Sequence, residues 1–195
     1  MKLLYTKRSP YARKVRIVAL EKQIPLEYLE EDLSNKSTRL LTANPLGKIP
    51  TLILDHGETL CDSPVICEFF DELKVRPRLI PPTIKKRMKI LHISALADGL
   101  MDVAVAAYLE KSRHPDNFSV QFVKAQEETI RRSLKFFDEH IKELEKLSLA
   151  SITVASAIGY INFRLPHLGP PSNSKLFNWF LEFSQRSSMQ ATRPE

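Results

Sequence analysis

A proline-rich stretch, Arg76-Pro77-Arg78-Leu79-Ile80-Pro81-Pro82, limits how this chain can fold more than any other feature. Proline lacks the N–H that helices and sheet ladders use, and it pushes the residue before it toward extended backbone. The texture changes across the stretch. Before it, short β-rich runs alternate with helical ones. Beyond it, apolar residues recur at helical spacing almost to the end. The stretch therefore reads as a boundary, with a domain at 1–78, a linker at 79–86 and a second domain at 87–195. The chain has 195 residues, 43% of them hydrophobic, which suffices for two small cores.

In the front part, Lys2 to Tyr5 reads as a strand and Tyr11 to Lys22 as a helix, with Val15, Val18 and Ala19 on one face. Leu26 to Leu29 alternates as a second strand, and Thr38 to Ala43 is a short helix. Thr51 to Leu54, the turn Asp55-His56-Gly57 and Thr59-Leu60 form a hairpin. Asp62 to Leu73 is a helix opened by Asp-Ser-Pro, which suits a helix start. The order is β-α-β-α-β-β-α.

Behind the boundary, Ile84, Met88, Leu91 and Ala95 share a helix face, and Val123, Ile130, Leu134 and Phe137 mark a second stripe. His114-Pro115-Asp116-Asn117 breaks the first long helix from the second, and Ser148 to Ser151 separates the second from a third. The third helix is expected from about Thr153 to Pro166, and a last one from Asn173 to Ser188.

Several function classes are disfavoured. No apolar run approaches the roughly 20 residues of a membrane span, and the N-terminal apolar stretch is too short for a signal peptide. A cytoplasmic protein with no membrane partner is expected. Cys61 and Cys67 form neither a disulfide framework nor a Cys-x-x-Cys pair. His56, His92, His114, His140 and His167 are scattered, so no metal site is expected. The net charge is +6, and Lys74 to Lys89 holds seven basic residues and no acid. No aromatic side chain interleaves that run to stack bases, so it reads as a solvated surface and nucleic acid is not the expected partner.

Three segments carry chemistry. In Thr6-Lys7-Arg8-Ser9-Pro10-Tyr11, Pro10 suits the first helical position and puts Ser9 at the N-cap. Helix starts favour anions, thiolates included, although an N-cap serine can also be only a cap. In Asn44-Pro45-Leu46-Gly47-Lys48-Ile49-Pro50-Thr51, Pro50 sits just before a strand, and a cis bond there would turn the Ile49 backbone outward to pair with an extended peptide. In Cys61-Asp62-Ser63-Pro64, a carboxylate and a hydroxyl meet at another helix start, either as caps or as readers of a small peptide's charged ends.

In this order, the three segments resemble the glutathione S-transferase superfamily, and the bacterial type with serine in the active position in particular. The marks are Ser-Pro-Tyr-Ala-Arg-Lys-Val-Arg at 9–16, Asn-Pro-Leu-Gly-Lys-Ile-Pro-Thr-Leu at 44–52 and Asp-Ser-Pro at 62–64; Trp179 to Pro194 looks like the family's last helix and tail. The resemblance implies an α/β thioredoxin-like N-terminal domain plus an all-α C-terminal helical domain, and a homodimer. It implies glutathione as co-substrate, with its thiolate attacking a small, largely apolar electrophile, the chemistry of detoxification. It makes Ser9 the catalytic residue that addresses the sulfur. The Ile49 backbone would pair with the cysteinyl part, with Pro50 as the family's cis-proline; Asp62 and Ser63 would hold the γ-glutamyl end, and Lys36 the glycine carboxylate. Tyr108 would either line the second-substrate pocket or simply pack.

Rival readings stay open. A non-catalytic glutathione-binding or regulatory protein, or a glutathione-dependent isomerase or dehalogenase, would share these marks. Ser9-Pro10-Tyr11-Ala12 looks like a glutaredoxin motif with both sulfurs removed, so no thiol–disulfide exchange is expected at Ser9. The family's Ser/Thr-x-x-Asp cap of the core helix is matched to Thr153-Val154-Ala155-Ser156, which predicts that Ser156→Asp stabilises.

Overall fold

The structure is a computed structural model that describes residues 1–74, 76–113 and 115–195. The front elements are β1 (Lys2–Tyr5), α1 (Pro10–Glu21), β2 (Glu27–Glu30), α2 (Thr38–Ala43), β3 (Thr51–Ile53), β4 (Thr59–Leu60) and α3 (Ser63–Leu73). Among the described residues the sheet has the order β2-β1-β3-β4. β1 runs parallel to β2 and antiparallel to β3, with Leu4 opposite Thr51, and β4 closes the hairpin with Leu52 opposite Leu60. A parallel pair needs a crossover, and α1 supplies it. Leu3, Leu4, Val15, Ile17, Val18, Leu52 and Phe70 are fully buried between sheet and helices. This is the thioredoxin-like arrangement expected.

The remaining elements are α4 (Ile84–Arg113), α5 (Val120–Glu139), α6 (Leu149–Arg164), α7 (Lys175–Phe183) and α8 (Ser187–Gln190), with 3₁₀ turns at Ile141–Glu143 and Pro166–Leu168. By length and composition α4 could cross a membrane. Its buried residues, among them Ile93, Ala97, Leu100, Met101 and Ala104, instead recur at helical spacing and pack with α5 and α6, as a core helix does. α6 is buried on every side from Leu149 to Ile161, the centre of this helical core.

The chain divides into two compact units, Met1–Pro81 with Ser187–Glu195, and Pro82–Arg186. The sequence reading ends the front domain at 78, gives 79–86 to a linker and assigns 87–195 to the helical domain. The structure departs from it at both ends. Leu79 and Ile80 are buried, and their N–H groups donate to the Asp71 carboxylate at 2.8 and 2.9 Å. The same carboxylate takes the fully buried Lys22 ammonium at 2.6 Å, which also donates to the Pro77 carbonyl at 2.8 Å. The terminal residues return to α1, where the buried Arg13 donates to the Met189 carbonyl at 3.3 Å.

Two helix readings are corrected. Ser148 to Ser151 is not a separator but the start of α6. Ser148 is the N-cap and Ser151 completes a reciprocal capping box. Thr153 and Ser156 therefore lie inside the helix, with their hydroxyls donating to the carbonyls of Leu149 and Ile152 at 2.7 and 2.8 Å. The cap motif sits five residues earlier than read, at Ser148-Leu149-Ala150-Ser151. The last helix is also two, α7 and α8, separated by Ser184–Arg186. The break between α4 and α5 includes turns at 115–117; His114 lies outside the described residues. In the basic run, Lys74 donates to the Gln23 carbonyl, Arg78 pairs with Glu72, and Lys89 pairs with Glu143. Those cations serve the protein's own surface.

Candidate functional site

The candidate site residues of the front unit lie at element ends: Ser9 before α1, Lys36 before α2, Ile49 and Pro50 before β3, and Asp62 and Ser63 at the start of α3. Ser9 caps α1 in extended backbone, and its Oγ accepts from the Ala12 N–H at 3.2 Å. Because that oxygen is already an acceptor, its own proton is free to donate outward. The residue is only half buried. Pro10 follows at the first helical position.

The Asn44–Thr51 turn is braced from inside. Asn44 is buried; its Nδ2 donates to the Lys48 carbonyl at 3.0 Å and to Thr51 Oγ1 at 3.1 Å. Thr51 Oγ1 donates to the same carbonyl at 2.8 Å. Gly47 has φ +56°, a conformation that costs other L-residues about 1–2 kcal/mol. The Ile49–Pro50 peptide is cis. Thr51 then begins β3, and among the described residues no hydrogen bond engages the Ile49 backbone. Its N–H and C=O are available to an extended ligand.

Lys36 approaches from the other side. Glu31 is buried and accepts from Arg39 at 2.8 Å and from the Ser37 hydroxyl at 2.6 Å, which ties down the segment before α2. Lys36 lies in that segment, with its Nζ 3.1 Å from the point a Cβ on Gly47 would occupy. An open cavity of about 560 Å³ is lined by Thr6, Arg8, Glu30, Asp32 and Ser34 among others. The Ser34 hydroxyl and N–H donate to Asp32 and hold its carboxyl below the usual range.

α3 starts with Asp62 as N-cap, whose carboxylate accepts from the Ser63 N–H. Ser63 is 1% exposed, and its Oγ has no hydrogen-bond partner among the described residues. A buried hydroxyl left unpaired costs about 1–3 kcal/mol. Asp62 itself is exposed, so a cation can reach it. An exposed carboxylate next to an unpaired hydroxyl and a helix N-terminus can hold a zwitterionic ammonium–carboxylate end.

Tyr5 is a packed strand residue, as its position in the sequence suggested. It lies edge-on to Tyr28 at 5.6 Å, with the Arg16 guanidinium 5.0 Å over its ring. Tyr108 belongs to the helical unit, with Arg164 lying 4.6 Å over its ring. Sequence reasoning missed Asn44 as the internal brace and Arg164 altogether. Asn44 could have been found, since it opens a quoted motif. Nothing in the local sequence ties Arg164 to Tyr108. Among the described residues, no group of three or more His, Cys, Asp or Glu could hold a metal ion.

Comparisons with known proteins place the chain in a family. Residues 8–73 match the family model for the glutathione S-transferase N-terminal domain. The uncharacterized GST-like protein YibF of Escherichia coli (strain K12) is 35% identical over 84% of this chain and 83% of its own length. A glutathione transferase family member from Pseudomonas fluorescens Pf-5, solved with bound S-(propanoic acid)-glutathione, is 37% identical with a TM-score of 0.90 over the whole of both chains. A glutathione S-transferase from Methylobacillus flagellatus KT with glutathione bound is 36% identical, with a TM-score of 0.93 over 100% of this chain and 99% of its own. The chain belongs to the glutathione S-transferase superfamily.

Proposed function

We propose that the protein is a glutathione transferase whose front unit binds glutathione and activates its thiol. The observation that carries the reading is the buried, unpaired Ser63 hydroxyl beside the exposed Asp62 carboxylate at the start of α3. Asp62 takes the γ-glutamyl ammonium and Ser63 the adjoining carboxylate. The unused Ile49 N–H and C=O pair with the cysteinyl residue in the manner of an added strand. Lys36 takes the glycine carboxylate. The solved relatives that hold glutathione, or glutathione with a propanoic acid on its sulfur, support this ligand class.

Ser9 then acts on the sulfur. A free thiol has a pKa near 8.5, so only about 3% is thiolate at pH 7. The Ser9 Oγ–H donates to the sulfur, and the partial positive charge at the start of α1 adds to the stabilisation. Each unit of lowering corresponds to about 1.4 kcal/mol. Ser9 is a hydrogen-bond donor and not a nucleophile. The thiolate attacks an electrophilic carbon, a C–S bond forms, and the leaving group departs or, in an addition, the neighbouring carbon takes a proton. The family resemblance extends the proposal to a cytoplasmic homodimer.

Calorimetric titration with reduced glutathione tests the site. Asp62→Ala and Ser63→Ala are expected to weaken binding at least tenfold. Ser9→Ala is expected to leave binding within a few-fold and to raise the bound thiol's pKa by about one unit or more, read from thiolate absorbance against pH. Conjugation of an electrophile panel separates a turning-over enzyme from a glutathione-binding protein. Absence of binding at millimolar glutathione sinks the reading.

A further inference from the structure

The helical unit carries a cation with no hydrogen bond or ion pair among the described residues. Arg164 is the last residue of α6, and its guanidinium lies 4.6 Å over the ring of Tyr108 and 4.2 Å over that of Phe163. Its Nε is buried without a hydrogen-bond partner. Among the described residues, no hydrogen bond or ion pair engages Arg164 at all. A buried N–H of a charged group left unpaired costs more than a neutral one, about 1–3 kcal/mol or above.

Helix position explains only part of this. A cation at a helix C-terminus is favoured by the macrodipole, worth about 0.3–1 kcal/mol. That accounts for a basic residue in the last turn and not for a buried, unpaired Nε–H. Ring contacts take the face of the guanidinium and leave the donors along its edge. The Nε–H and its neighbouring Nη–H form the fork that binds a carboxylate through both oxygens. The dipole's partial negative charge, about half an electron, does not cancel the full charge of the guanidinium.

Tyr160, one turn before Arg164 on α6, stands beside this group with its ring buried. Burial pushes its hydroxyl up to about 12, against an opposing pull from Arg164 and with a further push from Tyr108. It is therefore a proton donor across the whole physiological range. Among the described residues, no hydrogen bond occupies the hydroxyl of Tyr108 or Tyr160. The two clamping rings add flat apolar surface around the charge.

We propose that Arg164, framed by Tyr108, Phe163 and Tyr160, is a carboxylate-binding site of the helical unit that takes small aromatic or unsaturated acids. The site goes beyond the glutathione reading and does not depend on it, because acid binding is measured with no glutathione present.

The test titrates the full-length protein with cinnamate and, separately, with cinnamyl alcohol, its neutral counterpart. The wild-type protein is expected to bind the acid at least tenfold more tightly. Arg164→Gln is expected to abolish that preference while binding the alcohol within about twofold of wild type. Tyr160→Phe is expected to weaken the acid alone, by two- to fivefold. Glutathione titration of each variant reports whether the front unit is intact and is expected to be unchanged. Should Arg164→Gln not fold, Arg164→Lys decides, since an ammonium keeps the charge but loses the fork: a preference reduced by fivefold or more supports the proposal. Equal binding of acid and alcohol by the wild type overturns it. So does a preference that survives Arg164→Gln, or survives undiminished in Arg164→Lys.

Discussion

Gly47 shows how a single position can set the geometry of a turn. Its φ of +56° turns the chain toward Ile49 and the cis Pro50, and Lys36 Nζ and Leu41 Cδ2 stand 3.1 Å from the place of the missing Cβ. Both neighbours are flexible side-chain ends, so the backbone conformation dominates the cost of a substitution. Gly47→Ala is expected to cost about 1–2 kcal/mol, read from the urea midpoint. Displacement of Lys36 should also weaken glutathione binding several-fold. An unchanged midpoint would show that the turn accommodates an L-residue freely. Ser9, Ile49, Pro50, Asp62 and Ser63 could be singled out as candidates from the sequence because they belong to short contiguous motifs, whereas Lys36 belongs to none. Arg164 and Tyr160 were not. Their relation to Tyr108 arises only when α4 packs on α6, and no local spacing encodes it.

At the scale of elements, caps decide where helices begin. The front elements were read to within a residue or so, because short strands and turn residues punctuate them. The start of α6 was misread because Ser148, Ser151, Thr153 and Ser156 all offer hydroxyls. Only the backbone shows which of them meet unpaired N–H groups. Ser148 Oγ accepts from the Ser151 N–H, and Ser151 Oγ accepts from the Ser148 N–H. Ser148→Ala is therefore expected to cost about 1 kcal/mol in thermal or urea unfolding. Ser156→Asp, favourable on the sequence reading, is now expected to destabilise by more than that. It would put a carboxylate at a fully buried position whose hydroxyl donates to a carbonyl. A stabilised Ser156→Asp would restore the earlier frame. Glu127 of α5 links elements in a different way. Burial pushes its carboxyl up, but hydrogen bonds from Lys111 and His167 outweigh this and leave it below the usual range. Arg131 also pairs with it at 3.4 Å. With the folded value depressed, the unfolded chain binds the proton more readily, so stability is present above about pH 4.5 and falls as pH drops through the folded value. The melting temperature of wild type should drop more than that of Glu127→Gln between pH 6 and pH 3. Parallel curves would deny the carboxylate this role.

Across the whole molecule, chain order and spatial grouping part company at the C-terminus. Proline punctuation shows where the front domain's continuous chain ends, but it holds no sign that residues 187–195 rejoin it. The return rests on Arg13, whose partner Met189 lies 176 residues away. Arg13 is 5% exposed, and burial pulls its pKa down to about 10, with Arg16 and Arg193 adding repulsion. The tail offsets this with polar oxygens. Arg13 reaches the Met189 carbonyl at 3.3 Å and Thr192 Oγ1 at 3.5 Å, and Arg16 reaches the Ala191 carbonyl at 3.4 Å. Ser188 Oγ donates to Glu21 at 2.5 Å, and Met189 buries its side chain. The Lys7–Glu195 pair is exposed on both sides and should contribute little. Removal of Glu195 alone is therefore expected to be nearly silent. Truncation after Arg186 should cost about 2 kcal/mol or more, because hydrogen bonds to a charged group contribute about 1.5–3 kcal/mol. The mechanism is tested by adding Arg13→Met to both chains. In the full-length protein that substitution removes bonded partners and destabilises. In the truncated protein it removes a buried cation that has lost its acceptors, so the cost should shrink or change sign. A coupling of about 0.5–3 kcal/mol in this double-mutant cycle would establish that the tail acts through Arg13. Strict additivity would mean that the tail stabilises the front unit through its other contacts, those of Ala191 and Ser188 and the burial of Met189, and not through Arg13.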